Sequence, residues 1–177
     1  RKPTAEYLQE TTDYKTAAVL ALVVPDNDGD ANLLLIQRSS GGGDVHAGQI
    51  SFPGGKCEEG EKVLETALRE TLEEIGVESQ LIRVHGPLSA LYIPPSRFLV
   101  YPFIASVISK PAYVLNTDEV NAVLEIPLHH FFQKETIQTG EFGSARGYQV
   151  KATYYLWEST RIWGATAMMI SEVVMVL

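Results

Sequence analysis

The sequence predicts one domain of mixed α/β (α+β) class, a mixed sheet with helices packed on its faces. Three observations carry that expectation. Short apolar runs bounded by turn residues read as buried strands, and one 13-residue stretch repeats apolar side chains at helical spacing. The two kinds of element also alternate irregularly along the chain. The 177 residues fit a single domain over 1–177, with no internal repeat, low-complexity tract or Pro/Ser-rich linker to divide them.

Residues 16–24 (TAAVLALVV) are a short buried strand ended by Pro25. Asn27-Asp28-Gly29-Asp30 is turn chemistry, and residues 32–37 (NLLLIQ) resume as a strand, so the pair is expected to form a hairpin. Residues 39–44 (SSGGGD) read as a loop. Over residues 63–75, Leu64, Leu68, Leu72 and Ile75, with Ala67 and Thr71, lie on one helical stripe. Gly76 follows, where a left-handed cap is usual. Strands are expected at 82–92, 98–107 and 122–126, punctuated by Pro94-Pro95 and Pro111. Pro127 opens a short helix through residue 132. Residues 148–157 are a further strand and 166–176 a final helix, apolar almost all round.

Composition removes several function classes. The single cysteine, Cys57, cannot form an internal disulfide, which excludes a stapled secreted mini-domain. The longest clean apolar run has eight residues, against roughly 20 for a bilayer helix. The opening RKPTAEYLQETTDYK has no apolar signal core, so a cytoplasmic location is expected. A net charge of −8 argues against nucleic acid and anionic membranes as partners. It also requires something to offset the negative field if the substrate carries phosphate.

The segment Gly54-Gly55-Lys56-Cys57-Glu58-Glu59-Gly60-Glu61 leads into a helix on which Glu70, Glu73 and Glu74 stand at i, i+3 and i+4. At 100° per residue these three fall roughly opposite the leucine stripe. Mutual repulsion costs only about 0.2–0.5 kcal/mol per pair, so it does not by itself mark a site. A solvated face laced by Glu65–Arg69 and Arg69–Glu73 ion pairs is the plain alternative. Against it stands the glycine pair after Phe52-Pro53, which lets backbone approach closely and adds carbonyls to the carboxylates. Clustered carboxylate and carbonyl oxygens are what Mg²⁺ or Mn²⁺ select. A phosphate-cradling P-loop fails at Cys57, where Ser or Thr is required, and at Ile50, where the first glycine should stand.

From Gly55, five residues to Glu61, seven more to Arg69-Glu70-Thr71-Leu72-Glu73-Glu74-Ile75-Gly76-Val77, the segment resembles the Nudix box, GX5EX7REUXEEXGU. All seven fixed letters are present over residues 55–77, with Thr71 the one departure at an aliphatic position. The resemblance implies a Nudix fold, an α/β/α sandwich, and hydrolysis of a nucleoside diphosphate linked to another moiety. It implies that Glu70 and Glu74 are metal ligands, with the Gly55 carbonyl a third. Glu73 would bind a further metal or orient the water. Arg69 and Glu61, with Gly54, would support the site structurally. Glu119, in Asn116-Thr117-Asp118-Glu119, is a loop candidate for the general base, or else a helix or strand cap.

Upstream, residues 34–55 (LLIQRS, then GQISFPGG) resemble the motif of coenzyme A pyrophosphatases within that family. Such an enzyme would cut coenzyme A or its thioesters into 3′,5′-ADP and 4′-phosphopantetheine. Asp44 departs from the motif where an Arg is expected. Arg38 is either a phosphate contact or surface charge, and His46 either a substrate contact or a turn residue. The partners expected are a small-molecule nucleotide and, at most, a second subunit, since monomer and homodimer stay equally open. ADP-ribose or NADH hydrolysis is the rival within the same chemistry; a nucleotide-sensing module without catalysis is the rival from another class. Cys57 lacks partner cysteines, and His129-His130 lack a third zinc ligand. Tyr92, Phe98, Tyr101, Trp157 and Trp163 are core residues or an adenine stacking surface, and Met168, Met169 and Met175 packing residues.

Overall fold

A computed structural model describes residues 4, 6, 13–39, 48–143 and 149–177. Loop 39–44 and His46 lie outside the described residues except for Ser39. The strand β1 (Lys15–Pro25) runs through the centre of the larger sheet. It turns at Asp26, whose carboxylate accepts the amides of Asp28 and Asp30 at 2.9 Å, into β2 (Ala31–Arg38). The expected hairpin forms, with Val23 opposite Leu33 and Pro25 opposite Ala31.

Beyond that turn β1 and β2 diverge, and two short strands absent from the sequence expectation fill the gap. The first, β3 (Ile50–Ser51), pairs with β2 at Ile36 and Gln37. The second, β4 (Gly54–Lys56), pairs with β1 at Ala17 to Val19. At two and three residues, neither is long enough to show a period in sequence.

The expected 82–92 strand is two strands, β5 (Ile82–Pro87) and β6 (Leu91–Ile93). Both pair with β7 (Phe98–Val107), which runs parallel to β1 on its other edge. At the interruption the Leu88 amide donates to the Pro102 carbonyl at 2.8 Å. Pro102 tolerates a place inside β7 because its absent N–H faces this break in the ladder. On the opposite edge β8 (Val120–Pro127) pairs with β2. Pro127 opens the expected short helix, Leu128–Phe132, of 3-10 type. A second sheet of β9 (Ile137–Gly143), β10 (Gln149–Trp157) and β11 (Thr160–Trp163) completes the strands. Of these only β10 was expected.

Two helices cover the two faces, giving the α/β/α sandwich. The helix α1 (Val63–Ile75) packs on Ala18, Leu20, Leu22, Leu34 and Ile36. The helix α2 (Gly164–Val176) packs with Phe131, Tyr155 and Ile162 against Leu33, Leu35 and Phe52 on the other face. It begins two residues before the expected start, and Met168 and Met175 are exposed while Met169 is buried. Among the described residues no helix is long and apolar enough to cross a membrane.

The face that α1 buries differs from the leucine stripe. Thr66, Ala67, Thr71, Glu74 and Ile75 are buried, while Leu72 is 46% exposed. The helix is therefore rotated so that Ala67, Glu70, Thr71 and Glu74 turn toward β4, where side-chain-free glycines leave room for two carboxylates. Hydrophobicity alone could not place that face, because small residues allow close approach and the site itself occupies half of it.

Candidate functional site

The loop entering α1 is organised by one carboxylate. Glu61 accepts the Glu58 amide at 3.0 Å and the Thr66 hydroxyl at 2.6 Å. Arg69 reaches back from the second turn of α1 and grips it through both Nε (2.8 Å) and an Nη (3.1 Å). Such forked, charge-assisted pairing is strong, and the Arg69 hydrogen bonds hold the Glu61 carboxyl down to about 2. The same arrangement raises the guanidinium of Arg69 above its ordinary value. Arg69 also meets Glu70 at 3.0 Å, Glu73 at 2.8 Å and the Lys56 carbonyl at 3.4 Å. The Glu65–Arg69 pair of the solvated-face alternative does not form, while its Arg69–Glu73 pair does. Glu65 instead meets Lys62 at 3.4 Å at the start of the helix, because Glu61 claims the guanidinium.

One turn further along, Glu74 is 1% exposed. Its Oε2 accepts the Gly54 amide at 2.9 Å, and its Oε1 lies 3.8 Å from the Arg38 guanidinium at the end of β2. Burial dominates these favourable contacts and pushes the Glu74 carboxyl up to about 7, with Glu70 and Glu119 adding like charge. Glu70 is raised as well, by burial first and by Glu73 and Glu119 after it.

The glycines have separate jobs. Gly54 has φ +145°, and a Cβ there would lie 2.3 Å from the Ala18 carbonyl oxygen, so the backbone of β1 excludes any side chain. A Cβ on Gly55 would lie 2.4 Å from the Glu70 carboxyl carbon. The bare backbone of Gly55 is thus the floor on which the Glu70 carboxylate rests.

The third carboxylate arrives from the β7–β8 connection. The Val114 amide donates to the Ile75 carbonyl and the Asn116 amide to the Glu74 carbonyl, each at 3.0 Å. These bonds cap the end of α1 beside Gly76, which takes the expected left-handed conformation at φ +74°. From there the Asn116 carbonyl accepts the Glu119 amide, and its side-chain amide donates to Glu119 Oε1 at 3.3 Å. Carboxylate oxygens of Glu70, Glu74 and Glu119 consequently lie within 4.8 Å of one another.

Of the residues singled out in sequence, Glu70, Glu74, Glu119, Gly54, Gly55 and Arg38 meet here. Glu73 is outside the cluster, held on Arg69 with its side chain 53% exposed. Asn116 was named in sequence only as part of the Glu119 segment and given no role, although an Asn two residues before an acidic turn is a usual Asx signal. His130 bonds the Leu156 carbonyl, and Trp157 packs edge-on to it. Trp163 stacks on Phe142 at 4.3 Å and Tyr92 is buried, so these aromatics are engaged with the protein itself. The donor set of three hard carboxylates, two of them shielded from water with raised pKa, suits a divalent cation of the Mg²⁺ or Mn²⁺ type.

The family model described as NUDIX domain matches residues 14–145. The chain is 27% identical to Nudix hydrolase 3 of Caenorhabditis elegans over 99% of its own length and 80% of that protein. It is 35% identical to the human mitochondrial coenzyme A diphosphatase NUDT8 over 76% of its own length, spanning 58% of that relative. A MutT/nudix family protein from Enterococcus faecalis has the same fold at a TM-score of 0.62, with 18% identity over 99% of this chain and 70% of that one.

Proposed function

The chain belongs to the Nudix hydrolase family, and from that premise we propose that it is a divalent-cation-dependent pyrophosphohydrolase acting on coenzyme A or its thioesters. The observation that carries the proposal is the convergence of Glu70, Glu74 and Glu119 over the bare backbone of Gly54 and Gly55. Substrate choice is supported by residues 34–55, which match the coenzyme A-type motif except at Ile36 and Asp44, and by the likeness to NUDT8.

Glu70, Glu74 and Glu119, with the Gly55 carbonyl, would hold the cation. A divalent ion so held supplies acidified water and neutralises charge developing on phosphoryl oxygens. Glu74, held in place by the Gly54 amide and beside the Arg38 guanidinium, would serve as a ligand in its ionised form, the form a cation favours. Arg38 then has its guanidinium at the rim of the cluster, placed for a phosphoryl oxygen of the substrate. Arg69 balances Glu61, Glu70 and Glu73 and keeps the glycine turn against the helix. Glu73, on the solvent side, is placed for a second cation or for the attacking water.

The test is a product-resolved mass-spectrometric assay with Mg²⁺ and then Mn²⁺ on coenzyme A, acetyl-coenzyme A, ADP-ribose and NADH. Release of 3′,5′-ADP with a phosphopantetheine is the expected outcome. Preferential cleavage of ADP-ribose or NADH would remove the substrate assignment and keep the chemistry. Binding without cleavage would favour a nucleotide sensor, against which the intact carboxylate set stands.

A further inference from the structure

One buried polar group beside the cluster has no partner among the described residues: the hydroxyl of Ser51. Its direction follows from the strand. Ile50 and Phe52 point into the core beneath α2. Ser51 between them therefore points to the opposite face, beneath α1. Its ladder partner Ile36 is on that face. Arg38, two residues further along β2, sends its guanidinium across the same face to Glu74. On the other flank, three residues along the chain, the Gly54 amide holds the second Glu74 oxygen. Ser51 thus faces the α1 side of the sheet, on the chain between the pairing with β2, which carries Arg38, and the Gly54 turn.

A hydroxyl shut away from water without a partner destabilises the fold, and an alanine would fill this place without that cost. We propose that Ser51 is a substrate-contacting residue, its hydroxyl donating to a phosphoryl oxygen of the diphosphate bound against Glu70, Glu74 and Glu119. The proposal rests on the diphosphate-hydrolase assignment above. With the cation held by the carboxylates, the phosphoryl oxygen would reach the Ser51 hydroxyl from the flank that Arg38 and Gly54 line.

The experiment uses Ser51→Ala in the full chain, titrated calorimetrically with Mg²⁺ alone and with methylenediphosphonate in excess Mg²⁺, beside wild type and Glu74→Gln. Three results are expected together. The cation-free melting temperature of Ser51→Ala rises by roughly 2–4 °C, since an unsatisfied group is gone. Affinity for Mg²⁺ alone stays within twofold of wild type. Affinity for methylenediphosphonate falls roughly tenfold, the usual scale for a hydrogen bond to a charged group. A lower melting temperature would show the hydroxyl satisfied within the protein and overturn the proposal. Weakened Mg²⁺ binding would overturn it by showing that Ser51 acts through the carboxylates, and unchanged diphosphonate affinity would overturn it directly. If wild type fails to bind diphosphonate in a Glu74-dependent way, the hydrolase assignment falls and takes this proposal with it.

Discussion

Glu61 and Glu74 are both carboxylates withdrawn from water, at the two ends of one loop and helix, and the chain treats them in opposite ways. Glu61 is fully answered by Arg69, Thr66 and the Glu58 amide, and its carboxyl is held down to about 2. Glu74 is more deeply buried, receives one amide and a distant guanidinium, faces two like charges, and is pushed up to about 7. The first is a finished structural joint. The second is left with more negative charge around it than the chain's own donors offset, which is what the proposed cation would supply. Identical side chains thus separate into scaffold and site by the number of donors that the fold supplies to each.

The sharpest way to break this comparison is Glu74→Gln. It is expected to lower turnover at least 100-fold while leaving the protein folded, because the amide keeps the shape and loses the charge that holds a cation. Cation-free stability at pH 8 should rise in the same variant. Unchanged turnover would remove Glu74 from the site.

The pH dependence of cation-free stability should show both carboxylates at once. For Glu74, the folded carboxyl is near 7 and the unfolded one near 4.5, so the folded state holds the extra proton between those values. Its contribution is fully present below pH 4.5 and lost as pH rises through 7, on the order of 3 kcal/mol. For Glu61 the shift runs the other way, so its contribution is present above pH 4.5 and lost as pH falls through 2. Melting curves recorded with chelator should decline on both sides, and saturating Mg²⁺ should abolish the decline at high pH alone. A flat profile from pH 4.5 to 8 with chelator would contradict the raised Glu74 carboxyl.

Arg69→Ala should act chiefly through stability, costing roughly 2 kcal/mol as Glu61 is left without its cation. That corresponds to about 4–8 °C in melting temperature. A large loss of rate with an unshifted melting curve would place Arg69 in the chemistry instead. The mildest change is Gly55→Ala. Its methyl meets the flexible end of Glu70 and not backbone, so Mg²⁺ affinity should weaken about tenfold with little change in melting. A collapse in stability would mean that the Glu70 carboxylate cannot move aside.

Much of this was legible in the sequence, and the misses have physical causes. Long or strongly patterned elements were readable: β1, β2, β7, α1 with its Gly76 cap, and the Pro127 helix. Glu70, Glu74 and Gly55 were also named, since fixed spacing on a helix and its preceding turn is local information. The strands β3 and β4 are too short to carry a period. The rotation of α1 escaped because the buried face is set by glycines in another element. Glu119 was named without its place, because only the pairing of residues 114 and 116 with the end of α1 carries it to the cluster. Ser51 is invisible to sequence altogether, since lacking a partner is a property of three dimensions.

The parallel ladder of β1 with β7 has a consequence for how the chain reaches this state. Lys15 lies beside Phe98, and the register continues to Val23 beside Ser106, so the central pair joins segments separated by nearly half of the chain. Closing so large a loop loses chain entropy before any contact returns it, which slows folding relative to chains built from neighbouring hairpins. Gly55, Glu70 and Glu74 all lie within that loop. Glu119 lies beyond β7, so a nascent chain released before that point would carry the whole acidic motif without its third carboxylate.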